Sequence, residues 1–242
     1  MQLYHYTKFN IFEKILSSRK LRMYEPLKFA DEKYDIDEVG NLYYFAVLAE
    51  VYSEIMNIGL KISNPLFLNR FYSSFTNSSN NDYLWTKYAD NSMGISIGFD
   101  FSPVQMISSE PNFHTLYRQE IKYNELSELK KIIKDGLIEH ELNKGLGTSN
   151  IDKLFFGINT YIYKKNYFLK EEEKRIIIFL NENDNCIKRD LDTNRRYYEL
   201  DISKNIKSVT VGKLSKHTLA DISMFLESYG FDRSTINILS QI

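Results

Sequence analysis

The chain has 242 residues, with 31 basic and 32 acidic side chains for a net charge of −1, and is 43% apolar. That balance excludes a global field drawing it to nucleic acid or an anionic membrane, so any polyanion site must be local. The single cysteine, Cys186, excludes an internal disulfide and a CxxC zinc pair, and no apolar run approaches the roughly 20 residues needed to span a bilayer. The N-terminal residues lack the basic-then-apolar pattern of an export signal, so the expected location is the cytoplasm, with no membrane partner.

In chain order, Leu3-Tyr4-His5-Tyr6-Thr7 predicts a strand, and residues 9–18 predict a helix burying Ile11, Phe12, Ile15 and Leu16. Leu21-Arg22-Met23 predicts a short strand. Residues 25–41 read as an acidic surface loop, and 42–58 as a helix with Tyr44, Val47, Leu48, Val51, Ile55 and Ile58 on its buried face. A strand over 71–75 leads through the polar run 77–82, which can cap a short helix at 83–89. Gly94–Phe99 alternates as a strand, and Pro103 marks its exit. Further strands are predicted at 115–123, 175–180, 195–201 and 206–211, with helices at 125–143, 151–165 and 215–228. Lys144–Asn150 is the best hinge point, inside a helical insert at about 125–165. Sheet-forming segments flank that insert, so the expectation is one α+β domain over 1–242, in which the first and last thirds share a sheet.

Several common sites are missing from the sequence. Gly145-Leu146-Gly147 follows a helix and lacks a third glycine, Gly212-Lys213 is followed by Leu214, and His140-Glu141 has no histidine four residues on. A Rossmann dinucleotide site, a phosphate loop and a zinc protease are all poor matches. Four clusters remain: His5 on the first strand, Ser73-Ser74-Phe75-Thr76 at a strand end, Trp85 with Tyr88 on one short helix, and Glu171-Glu172-Glu173-Lys174-Arg175 before Ile176-Ile177-Ile178. Each alone also has an ordinary structural reading, as a satisfied histidine, a turn, core packing or a solvated charge run. If the last segment is extended, Glu171 and Glu173 share a side, with Glu172 and Lys174 opposite.

Together the clusters carry a resemblance. Tyr4-His5-Tyr6-Thr7, then Leu84-Trp85-x-x-Tyr88-Ala89-Asp90 with Gly94, Gly98, Phe99 and Asp100, then Glu171-x-Glu173-x-Arg175-Ile176-Ile177, resembles the bacterial family known as domain of unknown function 2971. Phe29-Ala30-Asp31-Glu32 is similar to that family's early Asn-Asp-Pro element, with departures at Ala30 and Glu32. Val209-x-Val211-Gly212 is similar to its C-terminal end. The resemblance covers most of residues 3–230.

A second, more distant resemblance is to the ADP-ribosyltransferase-like fold, a mixed and mostly antiparallel sheet core with inserted helices. It implies NAD as substrate, Glu173 as the carboxylate that stabilises the oxocarbenium-like ribose, and Glu171 as general base. His5, Thr7, Ser74, Tyr88 and Arg175 would be cofactor-binding residues, and no metal is needed. His5 belongs to one branch of that superfamily and the paired glutamates to another. The acceptor stays open among protein, nucleic acid and small molecule. By analogy the role is a toxin or phage-defence effector with an antitoxin or defence-system partner. The alternatives are a magnesium-dependent nuclease using Asp100, Glu172, Glu173 and Lys174, and a non-catalytic binding module on the same fold.

Overall fold

The structure is a computed structural model that describes residues 2–25, 51, 69–101, 104–109, 112–143, 163–180, 184–192 and 194–241. All but Glu25 of the acidic loop predicted at 25–41, the Phe29–Glu32 element, the hinge at 144–150 and most of the helices predicted at 42–58 and 151–165 lie outside those residues.

The chain opens with β1 (Gln2–Thr7), α1 (Phe9–Ser18) and β2 (Lys20–Tyr24). Helix α1 buries Phe12, Ile15 and Leu16, the spacing of one helical face. Ile11 was expected on that face but is 38% exposed, because it falls at the rim of the stripe. β3 (Asn69–Thr76), α2 (Asp82–Lys87) and β4 (Ile95–Asp100) follow. The Asn81 side chain accepts from the Leu84 amide and so fixes the start of α2.

β5 (Val104–Ser109) and β6 (Asn112–Glu120) form an antiparallel hairpin. β7 (Lys122–Asn124) and β8 (Tyr163–Lys165) pair in parallel as a separate ribbon that brackets α3 (Leu126–Asn143). Residues 163–165, predicted as the end of a helix, are therefore strand. A 3-10 helix (Asn166–Glu171) leads into β9 (Glu173–Leu180). The chain closes with β10 (Lys188–Arg189), β11 (Arg196–Asp201), β12 (Ile206–Val211), α4 (Leu219–Ser228) and β13 (Asn237–Ser240). Helix α4 starts at a Thr218–Asp221 capping box, and β13 returns parallel to β12.

Eleven strands form one open, mostly antiparallel sheet, giving a mixed α+β fold. One run of neighbours is β10-β11-β2-β3-β1-β4-β12-β13, and β3 also carries β9, then β6 and β5. β3 is the junction. It pairs with β9 along its whole length, but with β1 only at Tyr4–Thr76 and with β2 only at Tyr24–Tyr72. Its Ser73-Ser74-Phe75 edge lies between those two contacts.

Strand alternation separates the faces. Leu3, Phe71, Phe75, Ile95, Ile97, Phe99, Ile176, Ile178, Val209 and Val211 share one core with residues of α1 and α4. The other face carries Tyr6, which packs with Leu84, Trp85 and Ala89 of the α2 region. The bend after α2 needs Gly94, where a Cβ would lie 2.3 Å from the Thr7 carbonyl oxygen.

Candidate functional site

The register of β3 with β9 sets Ser74 opposite Arg175 and Thr76 opposite Glu173. Directly paired residues share a face, so Ser74, Thr76, Glu173 and Arg175 lie together on the side away from the main core. There the Arg175 guanidinium holds the Glu173 carboxylate through Nε to Oε1 at 2.7 Å and Nη2 to Oε2 at 3.3 Å. The Ser74 hydroxyl donates to Oε1 of the same carboxylate. Glu173 and Arg175 are 5% and 1% exposed, a depth at which a carboxylate requires a counter-charge. Burial works against the Arg175 charge, but Glu173, with Tyr72 and Tyr123 adding to it, holds the guanidinium pKa above its ordinary value. Arg175 also lies over the Tyr72 ring, 4.4 Å from its centroid.

The second carboxylate arrives by a different route from the one expected. Residues 166–171 are 3-10 helix, and Glu172 takes a left-handed backbone, φ 46°, before the strand begins. This turn, and not strand alternation, brings Glu171 inward beside Glu173, and it leaves Glu172 exposed. Glu171 accepts from the Tyr88 hydroxyl at 2.8 Å and from Lys87 Nζ at 3.2 Å. Burial pushes the Tyr88 phenol pKa up, with the charges of Glu171 and Glu173 adding to it. Tyr123 donates no competing charge. Its hydroxyl accepts from the Glu173 amide at 2.7 Å, and burial raises its pKa in the field of the same two carboxylates.

His5 enters from behind. Alternation along β1 puts it on the Leu3 side, where its ring centroid lies 5.7 Å from that of Phe75. Its Nδ1 donates to the Ser74 carbonyl at 2.9 Å. A carbonyl only accepts, so Nδ1 carries the proton and Nε2 is the acceptor nitrogen of the neutral ring. Burial lowers the His5 pKa, opposed by that hydrogen bond. His5 thus reaches Glu173 through Ser74 and does not flank the carboxylate. Thr7 is buried at the far end of β1, opposite Ile95, and among the described residues its side chain makes no hydrogen bond.

The structure therefore gathers Ser74, Tyr88, Glu171, Glu173 and Arg175, sets His5 behind them and leaves Thr7 apart. Trp85, completely buried, packs edge-on against Tyr6 at 5.0 Å, while Tyr88 is 41% exposed with its hydroxyl turned toward Glu171. Sequence reasoning missed Tyr72, Lys87 and Tyr123. Only Lys87 had a local signal, four residues after Tyr83 on one helix. The other two depend on long-range pairing.

The residues of the nuclease reading do not converge. Asp100 on β4 and Glu173 on β9 are three strand spacings apart, on the order of 14 Å. Ligands of one magnesium ion must each lie about 2 Å from it. Lys174 faces the core side and pairs with Glu120. Among the described residues no group of three or more His, Cys, Asp or Glu is placed to hold a metal ion.

Residues 84–176 match a family described as protein of unknown function DUF2971. The matched segment begins in α2 and ends in β9. It contains the Trp85-x-x-Tyr88-Ala89 motif, both glutamates and Arg175, whereas His5 and Ser74 precede it. No curated protein and no solved structure matches the chain.

Proposed function

We propose that this site cleaves the nicotinamide–ribose bond of NAD, as an ADP-ribosyltransferase-like enzyme or an NAD glycohydrolase. The observation that carries this reading is the fixed Glu173 carboxylate, oriented by Arg175 from its own strand and by Ser74 from the paired strand, beside a second carboxylate, Glu171. The resemblance to the ADP-ribosyltransferase-like fold assigns the same serine and glutamate positions, and the fold type belongs to this proposal too.

When the glycosidic bond breaks, its electron pair leaves with nicotinamide and positive charge develops on the ribose anomeric carbon. A carboxylate already in place stabilises that charge without reorganising. Arg175 supplies the counter-charge of Glu173, and Ser74 fixes which oxygen is presented. Glu171 takes the proton of the attacking water or acceptor as the new bond forms at the anomeric carbon. His5 acts by holding the Ser74 backbone. A cytoplasmic toxin or phage-defence role, with a cognate partner protein, accompanies this reading on the strength of the family resemblance.

The test is calorimetric titration of NAD into the purified chain, with nicotinamide release followed in the presence and absence of chelator. Glu173→Gln preserves size and should lower release at least about a hundredfold, the scale of a preorganised electrostatic group. Glu172→Gln, whose side chain lies outside the site, should be nearly silent. No binding and no release by the wild type would overturn the proposal in favour of a binding module. Magnesium-dependent nuclease activity lost with Glu172 would overturn it in favour of the nuclease.

A further inference from the structure

Lys87 sits inside the site just described and has no part in the proposed chemistry. Its ammonium lies 3.2 Å from Glu171 Oε1 and donates to the Tyr83 hydroxyl at 3.3 Å. The ring centroids of Tyr88 and Phe168 are 5.3 and 5.4 Å away, within the range of about 6 Å over which aromatic rings attract a cation. The Tyr83 ring centroid lies 5.5 Å away as well, so one buried carboxylate oxygen, one phenol oxygen and three rings surround a single positive charge.

Glu171 is 4% exposed, and a carboxylate at that depth is costly without a counter-charge. The lysine that supplies it is differently placed. Lys87 ends α2, 27% of its side chain is exposed, and its four-carbon stem can swing to solvent. If Lys87 leaves, the carboxylate and rings select another organic cation. On the function proposed above, on which this inference rests, the cation at hand is the nicotinamide ring of oxidised NAD, a flat pyridinium that becomes neutral on reduction.

We propose that Lys87 is a built-in competitor. Its ammonium occupies the place beside Glu171 that the cationic ring takes, so NAD binding exchanges one counter-ion for another. The resting protein is self-blocked, and its apparent affinity is reduced by the fraction of molecules in which Lys87 is seated. A residue that merely braced the fold would not make affinity depend on the ligand's charge.

The experiment compares wild type, Lys87→Met and Lys87→Arg by calorimetry, each titrated with NAD, with NADH and with 1-methylnicotinamide, the cationic ring alone. Lys87→Met should bind NAD and 1-methylnicotinamide about tenfold more tightly than wild type, as expected if the lysine is seated in about nine molecules of ten. Binding of NADH, whose neutral ring cannot replace the lysine as counter-ion and so does not enter beside Glu171, should change less than about twofold. Lys87→Arg keeps a tethered cation and should behave like wild type, which also controls for folding. Equal or weaker binding of 1-methylnicotinamide by Lys87→Met, in a chain that melts cooperatively, overturns the inference. Tighter 1-methylnicotinamide binding without nicotinamide release from NAD by the wild type would uphold the cation exchange and remove the catalytic reading.

Discussion

Ser74 touches both His5 and Glu173, accepting from the imidazole through its carbonyl at 2.9 Å and donating to the carboxylate through its hydroxyl. The two contacts can be separated by mutation. Ser74→Ala keeps the carbonyl and removes the hydroxyl, so Glu173 loses one orienting donor while His5 keeps its bond. A hydrogen bond to a charged group contributes about 1.5–3 kcal/mol to stability, so the unfolding midpoint should drop accordingly, and nicotinamide release should fall about tenfold or more as Glu173 loses its orientation. Steady-state kinetics beside thermal melts decide the point. A large loss of stability with unchanged turnover would make Ser74 a brace for β3.

The Arg175–Glu173 pair predicts an asymmetry in stability. Their side chains are only 2% and 4% exposed, so Arg175→Met strands a buried carboxylate and should cost about 3–5 kcal/mol in urea unfolding. Replacing both, Glu173→Leu with Arg175→Met, removes the charges together and should recover most of that loss. A double variant as unstable as the single one would show that the cost lies in packing, not in the stranded charge.

Trp85 and Tyr88 should respond oppositely to substitution. Trp85→Ala empties a fully buried site against Tyr6 and should cost about 3–5 kcal/mol. Tyr88→Phe loses one hydrogen bond to the Glu171 carboxylate and leaves no cavity, so at most about 1.5–3 kcal/mol is expected, with a larger effect on turnover. Thermal denaturation of both variants reads the difference. An unfolded Tyr88→Phe beside a stable Trp85→Ala would reverse the assignments.

His5 adds a pH dependence. Its folded pKa lies below the ordinary 6.5, so the unfolded chain takes up the proton first as pH falls. The stabilisation is fully present above about 6.5 and is lost as the pH drops from there through the lowered folded value. Melting temperatures measured from pH 8 to 5 should decline in the wild type. The decline should be shallower in His5→Phe, which has no proton to bind at this position. Identical slopes would show that other groups govern this range.

Local pattern was enough where the physics is local. The apolar spacing of residues 9–18 gave α1, and the β-branched alternation of Ile206–Val211 gave β12, with both boundaries as observed. That the first and last thirds of the chain share one sheet followed from strands at both ends of the chain. The 3-10 turn at Asn166–Glu171 was illegible because Glu172 adopts a left-handed backbone without the glycine or asparagine that usually announces one. β5 was missed because Pro103 read as an exit, while β8 and β13 are too short to show a period without their partners. For the site, residue types marked Glu171, Glu173 and Ser74. Tyr72 and Tyr123 became visible only through cross-strand register and the Glu173 amide.

The pairing of β3 with β9 also governs when the site can exist. Ser74 and Glu173 are 99 residues apart in the chain, and Tyr88 and Glu171 are 83 apart. Contacts of such separation form late and slowly, because a long loop must close before they stabilise anything. A nascent chain translated only as far as β4 therefore carries the serine and the tyrosine but neither glutamate of the candidate site. Synthesis must pass β9 before the two halves can meet, so a growing chain, or one truncated before β9, cannot assemble the Ser74–Glu173 arrangement until the late strand has docked.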